Sequence, residues 1–423
     1  MRLSPRAQRF LAILCGSLFA VAAAEIACRI DAFFPGAHFE PESARHYFEA
    51  RAIPQAALQM HAYARPDAHL SEADALPYVH PFAGWTNAST DEYAAQMARD
   101  TASADDGFFD LLLIGGSVAG NLTVAGAPRL VQLLEADPRL RGSSVRVWSF
   151  ARPSYRAPQP LAWVQWLLVL GARPDAVLSI DGFNEVAMAL ENSRRGLHPA
   201  YPSFRYWSGL VRGSASDPAV LDCIADVRLA RRVQMAIARR ALELGFHRSA
   251  LLTRLTQARL RAAKRVTDEA SSRLLEVHDL GAHRDVTLRG PPFAGDDRAA
   301  VELAIASWES AARALHVLCA ERRIPSLQVV QPTLADAGSK RASSDEIRNQ
   351  TTTPEWAEGV AIGYPVLRER ARALAAAGLP VVDATRIFAE VEETRFVDVV
   401  HFDERGNFAI AEWIAPRLLA RLP

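Results

Sequence analysis
The chain has 423 residues, half of them hydrophobic, and its 48 basic and 48 acidic side chains balance to a formal net charge of zero. It is long enough to bury one large core with elaborations, and the charge balance excludes a globally basic nucleic-acid binder. The four cysteines, Cys15, Cys28, Cys223 and Cys319, include no C-x-x-C pair, so they give no zinc or thioredoxin-type signal; separately, no cofactor is expected.

At the N-terminus Arg2, Arg6 and Arg9 precede an apolar run from Phe10 to Ala24. A basic region followed by an apolar core is an export signal. Continued through Glu25 and Arg29 to Ile30, it reaches the ~20 residues that span a bilayer. The expectation is a signal anchor over 1–30, with the arginines in the cytoplasm and the body outside the inner membrane. Cleavage after Ala22-Ala23-Ala24, giving a secreted protein, is the alternative. Residues 31–105 show little periodicity and read as a lead-in packed on the domain, with His61 and His80 as surface or packing side chains.

The apolar run Phe109–Ile114 is short and bounded, so it reads as a buried strand. It ends in Gly115-Gly116-Ser117, which puts a serine at the carboxyl end of the strand, where open α/β sheets carry their sites. A helix over 129–136 and strands over 144–150 and 176–180 follow, with an apolar helix at 161–170 between the strands. The third strand leads into Asp181-Gly182-Phe183-Asn184-Glu185.

The alternation lapses between about 190 and 297. An arginine-rich helical stretch from Arg228 to Arg265 carries an apolar stripe, and 266–297 reads as a loop. The pattern resumes with a helix over 299–322, a strand over 324–331, an exposed polar loop from Pro332 to Pro354, a helix over 365–377 and a short strand at 379–383. The closing helix, 408–422, contains Pro416, which should kink or split it. Strands alternating with helices predict an α/β domain over 106–423 with a mostly parallel sheet and a helical insertion.

Just before the closing helix stands Asp398-Val-Val-His401. Histidine is the common general base near neutral pH, and a carboxylate three residues earlier can fix its tautomer if the segment turns. Ser117, Asn184 and His401 all follow strands or lie at the sheet edge, so in a doubly wound sheet they converge. The Asn184 amide is a suitable donor to the oxyanion of a tetrahedral intermediate. An α/β-hydrolase nucleophile elbow would need G-x-S-x-G, and the spacing from Gly115 to Gly120 does not fit it.

Ser117 in Gly-Gly-Ser-Val, Asn184 in Gly-Phe-Asn-Glu and Asp398-Val-Val-His401 resemble blocks I, III and V of the SGNH/GDSL hydrolases, of the membrane-anchored bacterial type with Gly-Gly-Ser in block I. The resemblance covers about 107–190 and 298–423. It implies a flavodoxin-like three-layer sandwich with a five-stranded parallel sheet. Ser117 is then the nucleophile, His401 the base and Asp398 its orienter, with Asn184 and the Ser117 N–H as oxyanion donors. Gly116 stands where block I commonly has aspartate. The block II glycine is missing, and Ser154 most nearly occupies its position. The implied activity is hydrolysis of an O-acyl ester, carried by a small molecule or an envelope glycan. The alternatives are O-acyl transfer by the same triad and a non-catalytic envelope or polysaccharide-assembly protein.

Overall fold
The computed structural model describes residues 17, 19–29, 39–52, 77–87, 90–103, 106–204, 206–207, 218–280, 289–349 and 352–423. His61 and most of the expected apolar anchor lie outside these residues. The chain divides into two compact units, one of residues 1–55 and 216–281 and the other of 56–215 and 282–423.

The larger unit begins with an antiparallel hairpin of β1 (Pro77–His80) and β2 (Gly84–Asn87). His80 is buried, and its Nδ1 accepts the N–H groups of Phe82 and Ala83. Burial lowers its pKa and keeps it the neutral acceptor that the turn uses.

A five-stranded, wholly parallel sheet follows: β3 (Phe108–Gly115), β4 (Ser144–Ser149), β5 (Ala176–Asp181), β6 (Ser326–Val330) and β7 (Val381–Asp383), in the order β4-β3-β5-β6-β7. The β3 sequence explains its central place. Phe109, Leu111 and Leu113 enter one hydrophobic cluster and Leu112 and Ile114 another, as period-two alternation requires of a strand covered on both faces. Leu111 to Ile114 are fully buried, each stabilising the fold by about 1.5–3 kcal/mol. The chain leaves β3 towards β4 and returns on its other side as β5, so a crevice opens beyond the carboxyl end of β3.

Capping residues set several helix starts. Asp296 caps Asp297–Glu321, Thr353 caps Pro354–Ala376 and Asp403 caps Glu404–Leu419. The helix expected from Pro365 therefore begins at Pro354, with Pro365 in its interior. The closing helix is not split at Pro416, because Ile414, Ala415, Leu418 and Leu419 stay buried across the lost backbone bond.

The segment expected as an exposed polar loop is different in kind. Thr333, Ser339, Lys340 and Glu346 are buried, and Ser344–Asn349 is helical. Lys340 Nζ meets Glu346 Oε2 at 2.7 Å with both side chains fully buried. Glu346 also accepts the N–H groups of Ser343 (2.7 Å), Arg395 (2.8 Å) and Phe396 (3.0 Å). Burial opposes its charge, but these bonds outweigh burial and hold its pKa below the usual range.

The smaller unit is helical. Pro41–Ala52 packs with Pro218–Glu243 and Ala250–Leu280 around Phe48, Ala238, Ala241 and Leu260. The loop expected from residue 266 is thus helical to Leu280. Buried Thr267 and Ala270 continue the inward face, and Lys264 pairs with Asp268 one turn on. Residues 31–105 contribute to both units. Among the described residues no helix is long and apolar enough to cross a membrane.

Replacing Lys340 with Met strands the Glu346 carboxylate in the interior. Urea titration should show a loss of about 3–5 kcal/mol, the cost of breaking a buried pair from one side.

Candidate active site
The site is assembled where β3 ends. Gly115 has φ +132°, and a Cβ there would lie 2.3 Å from the Ile180 carbonyl of β5. Only a residue without a side chain lets the two strand ends come this close. Gly116 is equally constrained. A Cβ on it would lie 2.4 Å from Asn184 Nδ2 and 3.3 Å from the Tyr155 carbonyl oxygen. Ser117 follows as the first residue of a short helix, Ser117–Asn121, where its N–H has no partner inside the helix.

The structure brings the three expected triad side chains together. Ser117 Oγ lies 2.7 Å from His401 Nε2, and His401 Nδ1 lies 2.7 Å from Asp398 Oδ2. The other carboxylate oxygen, Oδ1, accepts the N–H groups of Val400 and His401, each at 2.8 Å. Burial opposes the Asp398 charge, but the bonds from His401 and the backbone outweigh it and hold the carboxyl below its usual pKa. Asp398 therefore stays ionised as the acceptor that fixes the imidazole.

The loop that carries Asp398 and His401 has its own supports. The Val397 N–H donates to the His401 carbonyl at 2.8 Å, and Phe396 bridges to Phe402. The rings of Phe388, Phe396 and Phe402 pack edge to face beneath it. Beyond β6, Thr333 Oγ1 (2.7 Å) and the Leu334 N–H (2.9 Å) both donate to the Val399 carbonyl.

Asn184 sits in the first turn of the helix Phe183–Arg194 and is buried. Its amide donates to the Tyr155 carbonyl at 2.8 Å, which leaves one N–H of the same nitrogen for another acceptor. Ser154 lies in the turn Arg152-Pro-Ser-Tyr155, closed by the Tyr155 N–H bonding to the Arg152 carbonyl. Proline second and a positive φ third mark a type II turn, which favours glycine at the third place. Ser154 stands there with φ +64°. Among the described residues the N–H groups of Ser117 and Ser154 donate to no protein acceptor.

Two residues that hold the site's loops, Glu185 and Glu346, were not singled out in the sequence. Glu185 is buried, and its two oxygens accept the N–H groups of Ala157 (3.0 Å) and Gly182 (2.8 Å). It ties the Ser154 loop to the Asn184 turn. Burial raises its pKa despite these bonds. Its place three residues after the helix cap is capping-box spacing, a signal visible in Gly182-Phe-Asn-Glu185. Glu346, which holds the approach to Asp398 from the buried segment after β6, carried no local signal.

The chain matches no family model and no curated protein.

Because Ser154 has a left-handed backbone, Ser154→Gly should relieve strain of about 1–2 kcal/mol, offset in part by the freer unfolded chain. Thermal unfolding should show a melting temperature equal to or above that of the wild type. A clear fall would mean the serine hydroxyl is itself a structural partner.

Proposed function
We propose that the chain is a serine esterase of SGNH type on a flavodoxin-like three-layer fold. It would be held to the inner membrane by its N-terminal segment and act outside it on an O-acyl ester, with envelope or exported carbohydrate as the substrate class. The observation that carries this reading is the unbroken chain from Ser117 Oγ through His401 to Asp398, with 2.7 Å at each link. Order and spacing of the Gly-Gly-Ser, Gly-Phe-Asn and Asp-x-x-His motifs support it.

In this reaction the Ser117 hydroxyl attacks the ester carbonyl while His401 Nε2 takes its proton. Asp398 stabilises the imidazolium that forms. The carbonyl oxygen becomes an oxyanion facing the N–H groups of Ser117 and Ser154 and the free N–H of Asn184. Collapse breaks the carbon–oxygen bond, and His401 returns the proton to the departing alcohol. Water then repeats the sequence on the acyl-enzyme, releasing the acid and restoring Ser117.

Labelling of the full chain by a fluorophosphonate tests the nucleophile. Wild type should be labelled, and Ser117→Ala and His401→Ala should not. A folded wild type that stays unlabelled would sink the esterase reading, and labelling that survives Ser117→Ala would move the nucleophile elsewhere.

Hydrolysis of a simple aryl acetate tests the oxyanion donors. Asn184→Ala should lower kcat about 10²–10³-fold, as loss of one such donor does. Gly116→Ala should lower it by a similar factor, because the added methyl displaces the same amide.

A further inference from the structure
We propose that the helical unit lies on an anionic bilayer surface, docked there through the exposed apolar and basic faces of its two long helices. This rests on the reading of the N-terminus as a membrane anchor. It assigns a role to the insertion, which the triad does not use.

The first observation is a latch. Glu25, on the helix over 19–29, accepts hydrogen bonds from Ser249 Oγ (2.6 Å) and from the N–H groups of Ala250 and Leu251 (3.0 Å each). It therefore caps the helix Ala250–Leu280 from outside that helix. Arg29 pairs with Glu25 at 2.7 Å and donates to the Arg248 carbonyl at 2.9 Å. The end of the apolar segment is thereby fixed to the first turn of the insertion's longest helix. An anchor that leaves the bilayer at Glu25 brings that turn to the headgroups.

The second observation is charge. Between Arg228 and Arg265 the chain carries ten arginines and Lys264 against one acid, Glu243, although the whole protein is neutral. Basic side chains at a bilayer surface are attracted by anionic lipid.

The third observation is the apolar surface. Leu229 (62 % exposed) and Val233 (48 %) are one turn apart on Pro218–Glu243. Leu252, Leu255 (55 %) and Val266 (52 %) share one face of Ala250–Leu280, with Arg259 among them. Such a face gains free energy at the headgroup–acyl boundary, where arginine stems lie along apolar surface and their charges reach phosphate. A hydrated acidic polymer would satisfy the arginines but leave these side chains in water. A second copy would set like charges against each other.

The test uses the full chain in nanodiscs of phosphatidylcholine, with or without phosphatidylglycerol. Single nitroxide labels replace Leu229, Leu255 or Val266 in a variant lacking the native cysteines. A label at Val317, exposed on the larger unit, serves as the control. In anionic discs, collisions of the three labels with a water-soluble nickel chelate should fall about fivefold and those with oxygen should rise, while Val317 stays wet. High salt, or the double variant Arg259→Glu and Arg273→Glu on the same helix face, should return the labels to water. The salt arm needs no folded variant.

Labels that stay wet in anionic discs holding the chain would overturn the proposal. So would equal protection in neutral discs, protection by dextran sulfate without lipid, or protection that appears only with two copies per disc. Flotation with neutral vesicles at high salt reads the anchor alone. A chain that fails to float removes the anchor and this proposal with it, whereas one that floats with wet labels removes only the proposal.

Discussion
The site depends on β3 ending in two residues without side chains. The Ile180 carbonyl would lie 2.3 Å from a Cβ on Gly115, and the Asn184 amide 2.4 Å from one on Gly116. No attractive interaction offsets overlap of that size, so strand spacing and donor placement are both set by atoms that are absent. The first gap lets β5 close against β3, so that the turn after β5 reaches the crevice. The second lets the Asn184 side chain settle directly before the Ser117 helix. His401, 284 positions further on, then meets the Ser117 hydroxyl.

The loops around this crevice have few regular backbone partners, and carboxylates take that role. Asp398 accepts two backbone N–H groups of its own turn, Glu185 accepts one from each of two loops, and Glu346 accepts three. A hydrogen bond to a charged group contributes about 1.5–3 kcal/mol, and an unmet buried N–H costs a similar amount. Each carboxyl group therefore ties loop backbone that no neighbouring strand holds. The same acceptors hold the proposed catalytic groups in place before substrate arrives, as electrostatic preorganisation requires.

What was legible in the sequence was local. The β3 strand shows as an unbroken apolar run, and Asp398 and His401 lie three residues apart, so their pairing needs only a turn. Ser154 was singled out only as standing nearest to a missing glycine, and the strain it bears belongs to a turn type that shows only in backbone angles. The Lys340–Glu346 pair was hidden because a polar stretch reads as solvated until something covers it. The helix to Leu280 was hidden because Asp268, Glu269, Ser271 and Ser272 mask the inward residues Thr267 and Ala270. Proline misled twice. Pro365 looked like a helix start and Pro416 like a break, yet burial on either side outweighs the one backbone bond that each removes.

The separation of Ser117 from His401 has a consequence in time. Ser117 and His401 are 284 positions apart, and both β6 and the Glu346 segment must be in place before the histidine loop has its supports. Until those supports form, the Ser117 hydroxyl has no fixed imidazole beside it. The pairing of these two side chains therefore reports that the larger unit has finished folding.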